Sequence, residues 1–329
     1  MRKIKVLVVD DSALMRKYLK QILEESPEIE VIDTARDGEE AVEKNLSLKP
    51  DVITLDLNMP KMDGLTALQY IMHTSPCPVV VVSSLTQRGA LTTFEALELG
   101  AVDYVPKPGG TVSLDIKRAA EEIRMKVKAA ASAKLTKRNR NSNATSISAK
   151  RPRAEPKRKI LSCDKVVFIG ASTGGPKAVE TVLSALPADF PAPVVIVIHM
   201  PEGFTGCFAE RLDRVCAVKV VEASDGVFLE SGLAVIARGR RHLDFERRSG
   251  GLAVKLSDVP SGVLYVPSVS VALKNLRRHV KDDRIIAVML TGMGDDGVDE
   301  MVEVKKGGGY TIAESEETAV VWGMPGELF

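Results

Sequence analysis

The sequence predicts an α/β protein built from two doubly wound parallel-sheet domains joined by a basic linker. Three observations predict it. Short β-branched runs alternate with amphipathic helical stretches from Ile4 to about Lys107. The alternation restarts at Lys165, and a polar, basic segment separates the two series. Strands that alternate with helices imply parallel pairing with crossover helices, and 329 residues suit two domains of about 150 each.

In the first series, IKVLVVD (4–10) reads as a buried strand. Ser12 to Glu25 then spaces Leu14, Met15, Leu19, Ile22 and Leu23 along one helical face. EVIDTA (30–35), DVITLD (51–56), VVVVSS (79–84) and DYVPK (103–107) complete five strands, and a last helix runs from about Ser113 into the 120s. KLTKRNRNSNATSISAKRPRAEPKRK (134–159) is polar, basic and Pro-interrupted, which is the composition of a tether. It has no aromatic residue for base stacking, so a nucleic-acid role is not expected. In the second series KVVFIG (165–170), VVIVIH (194–199), KVVEA (219–223), LAVIA (233–237) and IIAVMLTG (285–292) read as strands, with YTIAES (310–315) a further candidate.

Composition bounds the class. Hydrophobic residues at 45% and charged residues at 27% exclude a wholly disordered or fibrous chain. Aromatics are only 4%, so the cores must be built from Val, Ile, Leu, Ala and Met. No apolar run approaches the ~18–20 residues that span a bilayer, and Asp10 and Asp11 cut the N-terminal run too short for a signal peptide. The chain therefore reads as cytoplasmic, without membrane insertion. Cys77, Cys163, Cys207 and Cys216 show neither CxxC spacing nor a zinc pattern. Residues 117–159 hold 15 Lys and Arg against 3 Glu, so the rest carries 30 basic and 41 acidic residues, a balance of −11. A basic segment sits between two acidic bodies.

Asp10 and Asp11 end the first strand and Asp56 ends the third, where the crevice of a doubly wound sheet lies. Converging carboxylates repel one another unless a cation sits among them, and an all-oxygen set suits Mg²⁺. Ser83 and Lys107, at the ends of the fourth and fifth strands, add a hydroxyl and an ammonium suited to phosphoryl oxygens. VVDDS, LDLNMPKMDG and DYVPKP closely resemble the receiver domain of two-component response regulators, from residue 4 to about 120. The resemblance implies a flavodoxin-like fold and phosphorylation of Asp56 by a chemotaxis sensor histidine kinase. It also implies Mg²⁺ held by Asp10, Asp11, Asp56 and the Asn58 main-chain carbonyl, with Ser83, Lys107 and Tyr104 sensing the phosphate. The family's cis Lys–Pro turn is matched at Lys107–Pro108.

GASTGGP (170–176) lies between a buried strand and a helical stretch, and fits G-x-S-x-G, a turn that exposes a serine hydroxyl at a helix N-terminus. Taken alone it divides about evenly between a serine nucleophile and an anion-binding loop. His199, ending the next buried strand, and Asp296, after IIAVMLTGMGD, supply a base and an orienting acid at neighbouring strand ends and favour the nucleophile. The order Ser…His…Asp differs from that of α/β-hydrolases. His73, His242 and His279 do not end a strand beside the elbow and read as packing or surface residues.

GASTGGPKAVETVLSALPADFPAPVVIVIHMPEGFTGCFAERLD, AVMLTGMGDDG, GGYTIAESEETAVVWGMP and GRRHL are similar to the chemotaxis protein-glutamate methylesterase family, over about residues 163–325. The resemblance implies a Rossmann-like catalytic domain that hydrolyses glutamate methyl esters on methyl-accepting chemoreceptors, releasing methanol, and deamidates receptor glutamines. It implies Ser172 as nucleophile, His199 as base and acid, Asp296 as orienting carboxylate and Met293 as oxyanion donor through its main chain, with no cofactor for hydrolysis. The domains are then a receiver over 1–122, the end of its last helix and a linker over 123–161, and a catalytic domain over 162–329. Two departures stand out. GVLYVPSVS (262–270) puts Val266 and Ser270 where the family commonly has Arg and Asp, and the chain ends at Phe329, where the family usually continues with a helix and a strand. A receiver-linked adaptor of low catalytic activity is the alternative. A monomer is expected.

Overall fold

The computed structural model describes residues 2–84, 86–107, 113–133, 165–258 and 264–329. The expected linker at 134–159 and the Lys107–Pro108 turn lie outside the described residues. The chain divides into two compact units, Met1–Thr136 and Lys137–Phe329.

The first unit runs β1 (Ile4–Val9), α1 (Ala13–Glu24), β2 (Ile29–Ala35), α2 (Gly38–Leu48), β3 (Val52–Asp56), α3 (Gly64–Thr74), β4 (Val79–Ser83), α4 (Gln87–Leu99), β5 (Asp103–Pro106) and α5 (Ser113–Ala131). The sheet order is β2-β1-β3-β4-β5, every pair parallel. This is the flavodoxin-like order, whose switch point lies between β1 and β3. Val6–Val9, Val52, Ile53, Leu55 and Val79–Val82 are buried because both faces of the sheet are covered by helices. Each of the first four helices starts on a side-chain cap. Ser12, Asp37, Asp63 and Thr86 accept the main-chain N–H of Met15, Glu40, Thr66 and Gly89, satisfying donors that a helix N-terminus leaves open.

The second unit runs β6 (Val166–Ala171), α6 (Gly175–Ala185), β7 (Val194–Ile198), α7 (Phe204–Val215), β8 (Lys219–Glu222), β9 (Leu233–Ile236), β10 (His242–Arg248), β11 (Gly251–Ser257), α8 (Val269–Arg277), β12 (Ile285–Met289), α9 (Val298–Lys306), β13 (Tyr310–Ala313) and α10 (Met324–Leu328). Its six-stranded sheet has the order β13-β12-β6-β7-β9-β8, all parallel. The chain leaves β6 for β7 on one side and returns to β12 on the other, so the switch point lies between β6 and β12. The outer strands β8 and β9 come in the reverse of the simple Rossmann order.

The antiparallel pair β10–β11 is not among the strands expected from the periodicity. Its signal is nevertheless present: Leu243 and Phe245, then Leu252 and Val254, alternate on either side of Ser249-Gly250-Gly251. These four side chains join the core with Phe168, Val195, Leu273 and Met289. Burying a large apolar side chain is worth roughly 1.5–3 kcal/mol, so the hairpin is part of the body that carries α8.

Candidate functional site

Ser172 stands in the turn between β6 and α6. Gly174, at the cap of α6, has φ +77, and a Cβ there would stand 2.7 Å from the Cβ of Val320. Only glycine takes that conformation without strain. The Gly175 N–H donates to Ser172 O at 2.7 Å and closes the turn.

Two main-chain hydrogen bonds align the strand ends. The Ser172 N–H donates to Thr291 O just beyond β12 (3.0 Å), and the His199 N–H, just beyond β7, donates to Ala171 O at the end of β6 (3.2 Å). Three segments distant in sequence thus place side chains in one crevice. Thr291 braces them further, its hydroxyl donating to Thr173 O at 2.9 Å and its N–H donating to Glu314 Oε2 at 2.7 Å.

His199 Nδ1 lies 3.1 Å from Ser172 Oγ, and His199 Nε2 lies 2.8 Å from Asp296 Oδ2. The His199 and Asp296 side chains are each 8% exposed. Asp296 Oδ1 accepts the Ser268 hydroxyl (2.9 Å) and the Ser270 N–H (3.0 Å), while Oδ2 accepts the Val269 N–H (2.7 Å) as well as His199. Ser268 is the N-cap of α8, so the carboxylate sits on the open N–H groups of that helix, where negative charge is favoured. Burial alone would raise the Asp296 carboxyl; the hydrogen bond and charge of His199 and the bonds from Ser270 outweigh it and hold the group well below the usual carboxylate range. An ionised carboxylate only accepts, so Nε2 carries a proton, and in the neutral imidazole Nδ1 is the acceptor facing Ser172. That is the tautomer a general base needs.

Asp295 is exposed and its neighbour Asp296 meets His199. Met293 follows Gly292 directly, and a Cβ on Gly292 would stand 2.8 Å from Ser172 Cβ, so the main chain leading into Met293 runs against the serine. His242 is fully buried on β10, and burial holds its imidazole below its ordinary value against the charge of Asp296. The sequence marks Ser270 only as a departure from the family pattern and gives Ser268 and Tyr265 no role. The available signal was Pro267-Ser268 before an apolar helical run, a helix-start pattern.

The first unit gathers a second set. Asp10 and Asp56 are buried at the ends of β1 and β3, and Asp11 beside them is exposed. One carboxylate oxygen from each of the three lies within 4.8 Å of the others. The Lys107 ammonium is 2.7 Å from Asp56 Oδ2 and 2.9 Å from Asp10 Oδ2. The Lys107 N–H donates to Ser83 O (2.7 Å), which brings the ends of β4 and β5 to the same place. Burial pushes the Asp56 carboxyl up, the Lys107 hydrogen bond and charge pull it down, Asp10 pushes it up again, and it stays above its ordinary value. Asp10 Oδ2 is buried with the ion pair to Lys107 and no well-directed hydrogen bond. An oxygen-only cluster, two of its three carboxylates buried and carrying this excess of negative charge, fits Mg²⁺. Asn58 follows Asp56 by two residues, its N–H donating to Asp56 Oδ1 at 3.3 Å. Ser83 is buried with its hydroxyl 3.4 Å from Gly89 O, and Tyr104 is buried on β5 with the Lys126 ammonium 4.9 Å from its ring centroid.

Two family models match the chain: response regulator receiver domain over residues 6–117 and CheB methylesterase over residues 167–329. A protein of Caldanaerobacter subterraneus subsp. tengcongensis named protein-glutamate methylesterase/protein-glutamine glutaminase is 56% identical, over 98% of this chain and 90% of its own. The chain belongs to the CheB methylesterase family. A second member of this CheB family, from Carboxydothermus hydrogenoformans and named protein-glutamate methylesterase/protein-glutamine glutaminase 2, is 56% identical over 99% of this chain and 93% of its own. The crystal structure of the Thermotoga maritima CheB methylesterase catalytic domain is 41% identical, with TM-score 0.48, over 50% of this chain and 87% of that one. Ser172, His199 and Asp296 fall within the region matched to CheB methylesterase, and the carboxylate cluster falls within the receiver match.

Proposed function

We propose that the chain hydrolyses glutamate methyl esters on chemoreceptors and deamidates their glutamines, with Ser172, His199 and Asp296 as the catalytic set, under control of phosphorylation at Asp56 by a chemotaxis histidine kinase. The observation that carries the reading is the line of hydrogen bonds from Ser172 Oγ through both nitrogens of His199 to a clamped, ionised Asp296.

Ser172 Oγ attacks the ester carbonyl carbon while His199 Nδ1 takes its proton. The carbonyl oxygen gains negative charge, and the Met293 main-chain N–H is its proposed donor. His199 returns the proton to the methoxide as its bond to the carbonyl carbon breaks, so methanol leaves and the acyl group stays on Ser172 Oγ. Water, deprotonated by His199, then attacks the acyl carbon, the acyl–Oγ bond breaks, and His199 gives the proton to Ser172 Oγ as the glutamate side chain is released. With a glutamine side chain the leaving group is ammonia, and the remaining steps are the same. Asp296 keeps Nε2 protonated and stabilises the imidazolium through both steps.

In the first unit Asp10, Asp11, Asp56 and the Asn58 carbonyl would hold Mg²⁺, with Ser83, Lys107 and Tyr104 responding to the phosphate. A bound Mg²⁺ would neutralise charge on the transferring phosphoryl oxygens. No helix among the described residues is long and apolar enough to cross a membrane. The deciding measurement is methanol release by the full chain from methylated receptor membranes, with and without a phosphodonor. Release that rises with the donor is expected; no release under either condition would favour the adaptor reading.

Asp296→Asn tests the acid. The Asp296 carboxylate takes four donors on two oxygens. An amide keeps one oxygen, so its NH₂ group faces either the Ser268–Ser270 pair or His199 and Val269, and reverses the imidazole tautomer in the latter case. The expected loss in kcat is about 10³–10⁴, smaller than that of Ser172→Ala. An unaffected rate refutes the role.

A further inference from the structure

The Tyr265 ring lies face to face with the His199 imidazole, with centroids 4.0 Å apart and planes 2° from parallel. Tyr265 opens the segment that ends by clamping Asp296: three residues on, the Ser268 hydroxyl donates to the carboxylate, and the Val269 and Ser270 N–H groups follow. One short stretch, Tyr265–Ser270, therefore covers the base and anchors the acid. On the far side, Tyr265 Oη stands 3.4 Å from where a Cβ on Gly294 would be, so the phenol reaches toward the turn that carries Met293.

A cation prefers the ring face, because the face carries the negative end of the quadrupole. An imidazole held parallel and close over a phenol ring is thus stacked while neutral and gains an ion–quadrupole attraction once it has taken the serine proton. An interaction stronger in the protonated state acts on the transition state rather than on substrate binding. The ring also fixes the imidazole plane, on which both the 3.1 Å and the 2.8 Å contacts depend, and keeps water off one face.

We infer that Tyr265 is a positioning residue for the esterase and amidase reaction, acting through His199 by stacking on the imidazole and favouring its protonated form. This rests on the reading of Ser172 and His199 as nucleophile and base.

The test uses the full chain and two assays: methanol release from methylated receptor membranes, and the rate at which a fluorophosphonate labels the serine. In the labelling step Ser172 Oγ bonds to phosphorus, fluoride leaves, and His199 takes the proton, so the step needs the activated serine but no receptor. Tyr265→Ala should lower kcat and the labelling rate by about tenfold each, with KM within about twofold. Tyr265→Phe should restore both to near wild type. Tyr265→Leu, which keeps apolar bulk and loses the aromatic face, should be as slow as Tyr265→Ala, and it decides the matter if the alanine variant does not fold. A wild-type rate in Tyr265→Leu, a rise in KM with kcat unchanged, or failure of Tyr265→Phe to restore the rate overturns the proposal. Ser172→Ala and His199→Ala run alongside. If they are inactive while Tyr265→Leu is fully active, the stacking role alone fails; if they retain activity, the assignment of nucleophile and base fails first.

Discussion

Ser172→Ala is expected to lose on the order of 10⁴–10⁶ in kcat for both ester and amide hydrolysis. The hydroxyl is the only part of Ser172 that reaches His199 Nδ1, at 3.1 Å. Its removal leaves the imidazole, the clamped Asp296 and the turn at Met293 in place but takes away the atom proposed to form the acyl bond. The main-chain bonds of residue 172, to Thr291 O and from Gly175 N–H, are indifferent to the side chain, so the fold should be unchanged. His199→Ala should be nearly as severe, because nucleophile and base act as a unit and their losses do not add. Methanol release by a variant shown to be folded is the measurement. Retention of more than about a tenth of the wild-type rate would mean that another residue attacks the ester.

Asp56→Asn is expected to abolish phosphorylation and, with it, any stimulation by a phosphodonor. Asp10 is tied by the Ser12 N–H at 2.9 Å and by Lys107, and Asp11 is on the exposed side. Asp56 ends β3 beside them, with its Oδ2 directly on the Lys107 ammonium. A carboxylate oxygen attacking phosphorus needs the charge on the equatorial oxygens offset, and the residues present offer Lys107 and a site suited to a divalent cation. Burial and the charge of Asp10 hold the Asp56 carboxyl above its ordinary value, so a cation that favours the ionised form should raise its reactivity. Acid-labile, hydroxylamine-sensitive label should therefore appear in the wild type with Mg²⁺, vanish on chelation, and be absent from the variant. Label that persists in Asp56→Asn places the acceptor elsewhere. Methanol release that still responds to the donor separates control from this residue.

Much of both sites is legible in the amino-acid sequence, for one reason. In a doubly wound sheet the carboxyl ends of the strands open on the crevice, so a polar residue that stops a β-branched run is a site candidate by position. Asp10, Asp56, Ser83, Ser172 and His199 each end or closely follow such a run. The parallel order of the strands, the alternation with helices and the choice of Asp296 over Asp295 follow from the same reading together with the family resemblance. The antiparallel hairpin is legible too, from its alternation around a Ser-Gly-Gly turn, but it carries no site chemistry and draws less notice.

Tertiary structure alone decided what surrounds the proposed catalytic groups. The segment at 262–270 reads in sequence as a departure from a family pattern, and nothing in its periodicity says that Tyr265 stacks on His199 or that Ser268 and Ser270 hold Asp296. Those contacts join positions tens of residues apart, and they arise because α8 packs against the core beside β6 and points its N-terminus at the loop after β12. Hydrophobic periodicity fixes which face of an element is buried. It does not fix which helix end meets which loop, since that depends on how three elements pack at once, and the tautomer of His199 and the charge on Asp296 depend on that packing.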